Sequence, residues 1–278
     1  MSPIKTAVFP VAGLGTRFLP VTKSVPKELL PIHGRPLIEY AVEEARAAGV
    51  ERFVFVNARS KTALEDHFRP APALEEELAG KGKTAALEAV RRPVLGDALQ
   101  VVYQDRPLGL GHAVGCARDL VGDAPFAVLL ADDFLHCRRP CLKQMVDAWR
   151  LTGGNMVATV DVGRAAISAY GCLAVERTEG RVLGATGVVE KPKAEDAPST
   201  HAVIGRYILT PGVMRALATT RPGAGGEIQL TDAIAADIPR SGLHGFAFEG
   251  RRFDCGTPEG MTEATIAMSG RSNLSAAA

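Results

Sequence analysis

Short runs of apolar, β-prone residues alternate in the first half of the chain with stretches whose apolar positions recur at helical spacing. Residues 6–11, 52–56, 100–103 and 126–130 are almost continuously apolar, the pattern of strands covered on both faces. Between the first two lies 37–48, where Ile38, Ala41, Val42 and Ala45 share one helical face, with Pro36 suited to the first turn and Gly49 to the stop. Residues 112–120 and 142–151 read as further helices. This alternation predicts an α/β fold with a mainly parallel sheet and helices on both faces. The second half changes character: 156–161, 172–175, 181–189 and 201–209 read as strands between Gly or polar turns. Residues 228–238 read as a helix with Leu230, Ala233, Ile234 and Ile238 facing inward. Residues 70–83, rich in Pro, Glu, Gly and Ala, read as loop, and 269–278 as a flexible tail. No linker or charge run divides the halves, so one domain is expected over 1–268, its second half an α+β extension of the first sheet.

A chain of 278 residues buries enough surface to fold without disulfide or metal staples. Its apolar runs, such as 126–131, fall far short of the roughly 20 residues that span a bilayer. No secretory segment follows Met1, and the five cysteines are odd in number and scattered, which together read as a cytoplasmic protein with reduced thiols. His136, Cys137 and Cys141 lack the second ligand pair that a zinc site needs. A net charge of +1 and 5% aromatic residues argue against a nucleic-acid surface.

The most informative stretch follows the first strand: Ala12-Gly13-Leu14-Gly15-Thr16-Arg17. Glycines there allow a sharp turn and let backbone N–H groups approach a ligand. The dinucleotide fingerprint fails, because Phe18 stands at the place of its third glycine, and no Gly-Lys-Ser/Thr closes a P-loop. A tight strand-to-helix turn would also account for the glycines. Arg17, Lys23 and Lys27 follow closely, and Pro20 and Pro26 bar a regular helix, so three cations sit on a constrained loop. Cations at that end of an open α/β sheet suit a polyphosphate, with a solvated basic loop as the plainer alternative. Asp132 ends the apolar run 126–131 at the same sheet end. A carboxylate there suits Mg²⁺ shared with phosphate oxygens, or else the capping of a helix. Asp133 points to the opposite face, so one of the two reaches a cation.

The glycine block, with Pro20-x-Thr22-Lys23 and Pro26-Lys27-Glu28-Leu29-Leu30-Pro31, resembles the signature of the sugar-1-phosphate nucleotidyltransferases. The resemblance continues, in order, through Pro107-Leu108-Gly109-Leu110-Gly111-His112-Ala113-Val114, Val189-Glu190-Lys191-Pro192 and Gly205-Arg206-Tyr207-Ile208-Leu209. It ends with Gly226-Glu227-Ile228-Gln229-Leu230-Thr231-Asp232-Ala233 and Asp254-Cys255-Gly256. It spans nearly all of 5–260 and implies a doubly wound, mixed, mainly parallel Rossmann-like sheet with a small β-rich sugar-side extension. It also implies a nucleotide-binding half over about 1–150 and a sugar-binding and assembly half over about 151–268.

The activity it implies is Mg²⁺-dependent transfer of UMP from UTP to α-D-glucose 1-phosphate by direct in-line displacement of pyrophosphate. A homodimer or homotetramer is expected, with neither nucleic acid nor membrane as partner. By resemblance Arg17 holds the β and γ phosphates, Lys27 stands near the α-phosphate, and Asp132 and Asp254 hold the metal. Ala12, Gly13, Gly15, Thr16, Glu28, Gln104 and Gly109 would contact the nucleotide, Gln104 facing a pyrimidine edge. Glu190 would take the sugar hydroxyls and Lys191 the sugar's phosphate, and Gly171 and Gly205 would let backbone groups reach the sugar. His112 invites a general-base role, but the attacking phosphate is already anionic near neutral pH, so it reads as a loop or helix-start residue. The sequence departs from the usual pattern at Ala131, at Asn57-Ala58-Arg59-Ser60, at Arg35 and at Thr257-Pro258-Glu259-Gly260. The last bears on the setting of Asp254. Thymidylyl transfer or another sugar specificity on the same fold, a non-catalytic nucleotide-sugar-binding regulator and an NAD-dependent dehydrogenase are the competing readings, the last disfavoured by the failed fingerprint.

Overall fold

The computed structural model describes residues 3–270. The first half runs β1 (Thr6–Pro10), a small hairpin β2 (Pro31–Ile32) and β3 (Arg35–Pro36), α1 (Leu37–Ala47), β4 (Arg52–Asn57), α2 (Thr62–Asp66), α3 (Pro72–Gly80), α4 (Thr84–Arg91), β5 (Leu99–Tyr103), α5 (Leu110–Cys116), α6 (Arg118–Val121), β6 (Phe126–Leu129), β7 (Asp133–His136) and α7 (Cys141–Thr152). The second half runs β8 (Asn155–Asp161), β9 (Gly171–Glu179), β10 (Val182–Glu190), β11 (His201–Leu209), α8 (Pro211–Leu217), α9 (Leu230–Ser241), β12 (Leu243–Ala247), β13 (Arg251–Asp254) and α10 (Pro258–Met268).

Nine strands form one sheet in the order β5-β4-β1-β6-β11-β8-β12-β10-β9, which crosses from one half of the chain to the other. Alternation along each strand sends neighbouring side chains to opposite faces. On one face Ala7, Phe9, Phe53, Phe55, Ala127 and Leu129 pack under α1 and α7. On the other, Val8, Val54, Phe126, Val128 and Leu209 pack under α5, α8 and α9. Both faces are thus dry, which is why these strands read as continuous apolar runs.

The expectation of a mainly parallel sheet holds only for its first part. β5, β4, β1 and β6 are parallel neighbours. Beyond β6 the chain enters β11 antiparallel, and β8, β12, β10 and β9 continue with one parallel and three antiparallel pairings. The connections explain the difference, since β9 and β10 are joined by a short turn that only an antiparallel pair can use.

Residues 70–83 are not loop. They contain α3, because Pro72 sits in the first turn, Gly80 closes the end, and the interior is built from Ala, Leu and Glu. Glu75 accepts from the N–H of Ala71 (3.2 Å), capping the helix. The helix expected at 112–120 is two helices broken at Ala117, and it starts earlier, at Leu110. Ile228 lies before α9, its backbone bonded to Leu108 and Gly111. The tail expected at 269–278 lies, from residue 271, outside the described residues.

Candidate active site

β1 delivers the glycine loop to the edge of the sheet where the parallel strands end. Val11 prolongs the pairing with β4 through its N–H to the Val56 carbonyl (2.9 Å). The prolines act as expected: the segment forms three single 3₁₀ turns, Thr16–Phe18, Val21–Lys23 and Lys27–Leu29, and no α-helix. Gly15 is left-handed (φ 65°) and lies so close to Lys27 that an added methyl would stand 3.1 Å from the Lys27 Cβ. The Thr22 hydroxyl donates to the Gly15 carbonyl (2.8 Å), folding the loop back on itself. Beneath it, Lys61 ties both limbs together, donating to the Val11 carbonyl (2.7 Å) and to both oxygens of Glu28 (2.8 and 3.1 Å).

The loop lines a hollow walled by Gly15, Thr16, Arg17, Lys27, Asp132 and Gly256. Lys27 Nζ donates to Asp132 Oδ2 at 2.6 Å. Burial disfavours the Lys27 ammonium, but Asp132 and Glu28 outweigh it and hold its pKa above the ordinary lysine value. Burial likewise opposes the Asp132 carboxylate, and Lys27 outweighs it, holding that carboxyl below the usual range. Both groups are therefore charged throughout the neutral range.

Asp254 arrives from the far end of the chain by pairing. β13 runs antiparallel to β7 with Asp254 opposite Asp133, and the Cys255 N–H donates to the Asp132 carbonyl (2.8 Å). A methyl added to Gly256 would stand 3.0 Å from Asp254 Oδ1, 3.4 Å from Asp132 Oδ2 and 3.6 Å from Arg17 Nη1. Two carboxylate oxygens and a guanidinium thus converge on one small space beside Gly256, where an added methyl would crowd them. Among the described residues no group of three or more His, Cys, Asp or Glu side chains could hold a metal ion. Two carboxylates are nonetheless the set that suits Mg²⁺ when the remaining ligands are phosphate oxygens and water. The Thr257-Pro258-Glu259-Gly260 departure leaves this setting intact. Thr257 caps α10, and Gly260 packs so tightly on the Asp254 carbonyl that a methyl there would come within 2.0 Å of it.

A second hollow, about 240 Å³, opens beside the glycine loop, with Ala12, Gly13, Gln104, Gly109 and Glu227 in its walls. Gly109 has φ 106°, and an added methyl would meet Glu227 Cβ at 2.7 Å and the Ile228 carbonyl at 2.8 Å. Two motifs distant in sequence thus close on one another, fastened by the Gly111 N–H to the Ile228 carbonyl (2.8 Å).

The third hollow lies between β9, β10 and α9. Tyr170, Gly171, Glu190, Gly205, Asp133 and Thr231 help line it. Thr231 donates to Glu190 Oε2 (3.0 Å), and Lys191 Nζ stands 3.9 Å from Glu190 Oε1. Lys191, next to Glu190, is exposed and not part of the lining of this hollow, with left-handed backbone (φ 44°), a conformation that a non-glycine residue adopts at a cost.

Of the residues singled out in the sequence, Lys23 is exposed and outside the hollow at Arg17, so two of the three loop cations reach it. Glu28 is 1% exposed and bound to Lys61, beneath the loop rather than in a hollow wall. Gly205 lines the third hollow, but its N–H is taken by Asp133 Oδ2 (2.7 Å) and its carbonyl by Leu130 and Arg206, so its backbone serves the protein itself. What its missing side chain admits is Asp133, 2.6 Å from where a methyl would sit.

Three supporting residues escaped the sequence reading. Arg252 donates to Asp133 (2.5 Å) and to the Tyr170 hydroxyl (3.1 Å) and stands 3.8 Å from Asp254, joining the third hollow to the second carboxylate. Arg206, 1% exposed, bonds Glu44 and the Leu130 carbonyl behind Asp132. Lys61 is the strut described above. Lys61 and Arg252 are lone cations in ordinary sequence contexts, Arg206 lies inside the Gly205–Leu209 block with no local sign of its role, and only the fold gives each its partners.

Residues 7–269 match the family model described as nucleotidyl transferase. The chain is 48% identical over 259 residues to a UTP–glucose-1-phosphate uridylyltransferase of Komagataeibacter xylinus, covering 92% of this chain and 91% of the relative. It is 43% identical over 266 residues to the protein of the same name from Bacillus subtilis (strain 168), covering 96% and 91%. A UDP-glucose pyrophosphorylase solved in complex with UDP-glucose superposes with a TM-score of 0.88 at 42% identity, over 96% of this chain and 99% of that one.

Proposed function

The chain belongs to the nucleotidyl transferase family, and from that membership we propose that it catalyses Mg²⁺-dependent transfer of UMP from UTP to α-D-glucose 1-phosphate, giving UDP-glucose and pyrophosphate. The observation that carries this reading is the set of three adjoining hollows along one sheet edge, with the Lys27–Asp132 pair among them. The hollow at Gln104 takes the base, that at Arg17 the triphosphate, and that at Glu190 the sugar.

An oxygen of the sugar phosphate attacks the α-phosphorus in line, a new P–O bond forms, and the bond to the β-phosphate oxygen breaks. The attacking oxygen is already ionised, so no general base is required, and charge is the main obstacle. Two unit charges about 4 Å apart repel by about 4 kcal/mol at an effective dielectric near 20. Arg17 offsets this on the leaving pyrophosphate, and Lys27, held in place by Asp132, offsets it on the α-phosphate. Asp132 and Asp254 would hold Mg²⁺, which would supply Lewis-acid stabilisation of the phosphoryl oxygens. Glu190, with one oxygen anchored by Thr231, keeps the other for sugar hydroxyls, and Lys191 meets the sugar's phosphate. Separate hollows for the triphosphate and the sugar would let both substrates be held at once, which supports direct displacement without a covalent intermediate.

Asp132→Asn tests this assignment. Turnover should fall by about 10²–10³, the usual cost of one transition-state electrostatic contact, while the circular dichroism spectrum stays that of the wild type. A folded Asp132→Asn protein with wild-type turnover would remove Asp132 from the reaction. Exchange of labelled pyrophosphate into UTP without sugar phosphate would reveal a nucleotidyl-enzyme and contradict direct displacement.

A further inference from the structure

His112 was set aside as a base, yet it is not idle. Gln104 sits at the C-terminal end of β5, its own N–H bonded to the Asn57 carbonyl (2.9 Å), and its side chain reaches into the wall of the second hollow. There Gln104 Nε2 makes two contacts: 3.1 Å to the Gly109 carbonyl and 2.9 Å to His112 Nδ1. The carbonyl can only accept, so the amide nitrogen must face it, because a flipped amide would set two oxygens against each other. With one N–H on Gly109 and the other directed at His112, the imidazole must accept at Nδ1, which puts its proton on Nε2. Both amide protons are then committed to the protein, while Gln104 Oε1 has no partner among the described residues. Gly109 and His112 are themselves fixed by the start of α5, where the Gly109 carbonyl also accepts the Ala113 N–H (3.1 Å).

We infer that His112 is a positioning residue for base choice: with Gly109 it commits both protons of the Gln104 amide, so that this side chain meets an incoming base with an acceptor alone. On its hydrogen-bonding edge uracil or thymine offers that acceptor the N3–H. Cytosine in the same pose offers the N3 lone pair and is refused. Without His112 one amide N–H is uncommitted while Gly109 still holds the other, and the side chain can then present that free N–H to the N3 lone pair of cytosine, so the selectivity lies in committing both amide protons rather than in Gln104 alone. This inference rests on the nucleotidyl-transfer reading above and extends it to base selection.

The test compares wild type, His112→Phe and His112→Asn, with kcat/KM measured for UTP, dTTP and CTP at fixed glucose 1-phosphate and Mg²⁺. Phenylalanine keeps the ring and loses the acceptor; asparagine returns an acceptor oxygen near the place of Nδ1. His112→Phe should lower the UTP-to-CTP ratio about tenfold, the scale of one buried hydrogen bond, and leave the UTP-to-dTTP ratio unchanged, since both bases carry the same N3–H. His112→Asn should restore the UTP-to-CTP ratio. A merely structural role would lower all three nucleotides together. An unchanged UTP-to-CTP ratio in an active His112→Phe protein would overturn the inference and leave the uridylyl reading standing, whereas a wild type inactive with UTP would overturn both. A second readout needs no variant: ¹⁵N NMR of the wild-type imidazole should show the Nε2-protonated tautomer at His112, and the Nδ1-protonated form would refute the lock.

Discussion

Asp132 and Lys27 stand 2.6 Å apart in a space that burial makes hostile to either charge alone, and each holds the other ionised. The same logic operates at Glu39, outside the site, and there it sets stability. Burial would raise the Glu39 carboxyl, but hydrogen bonds from His67 (2.9 Å), Arg35 (2.7 Å) and Arg92 (2.9 Å) outweigh it and bring its pKa down from 4.5 to about 2. A carboxyl whose pKa is depressed on folding stabilises the protein above its unfolded value and loses that contribution as pH falls toward its folded value. Glu39→Gln should therefore cost about 2 kcal/mol in urea unfolding at neutral pH. The gap from wild type should begin to close below about pH 4.5 and shrink toward pH 2. A gap independent of pH would show that Glu39 acts by shape rather than charge. Arg17 and Lys27 were legible in the sequence because a glycine turn and two prolines give their spacing meaning. Asp254 was not, since nothing local distinguishes it from a surface aspartate. Only the family resemblance pointed to it, and only the β7–β13 pairing brings it beside Asp132.

Strands β1, β4 and β6 announce themselves because both faces are dry; β12 and β13 do not, because Leu243-His244-Gly245-Phe246-Ala247 and Arg251-Arg252-Phe253-Asp254 mix polar and apolar residues without clean alternation. α3 reads as loop in the sequence because of its proline and glycine, which sit only at its two ends. The junction between α5 and the segment before α9 is a tertiary event that no window along the chain contains. Gly109 is its hinge, left-handed and pressed against Glu227 and Ile228. Gly109→Ala should cost about 2 kcal/mol of stability, from a disfavoured backbone and a methyl with no room. It should also raise KM for the nucleotide more than for the sugar phosphate, because the distortion falls on the Gln104 hollow. Equal changes in both KM values would place the damage elsewhere.

Across the molecule, one buried ion pair ties the two halves behind the site. Arg206 on β11 donates to Glu44 on α1 (3.0 and 2.9 Å), and Glu44 also accepts the Leu142 N–H at the start of α7 (2.8 Å). Arg206→Met leaves the Glu44 carboxylate buried without its cation and should destabilise by about 3–5 kcal/mol, most of it recovered in the Glu44→Gln, Arg206→Met double variant. A double variant no better than the single one would mean that Arg206 acts through its bonds to the Leu130 and Gly205 carbonyls instead. The layered α/β architecture was readable from alternating patterns, and the antiparallel second half only partly, because strand direction is set by connections rather than composition. Pyrophosphate release should be measured with purified protein and Mg²⁺, crossing UTP, dTTP, CTP, ATP and GTP with glucose, galactose, mannose and N-acetylglucosamine 1-phosphates, with EDTA as control. The account predicts that UTP with glucose 1-phosphate gives the fastest release, with UDP-glucose formed in equal amount, and that EDTA abolishes it. Preference for another pair, or turnover that survives EDTA, would contradict it.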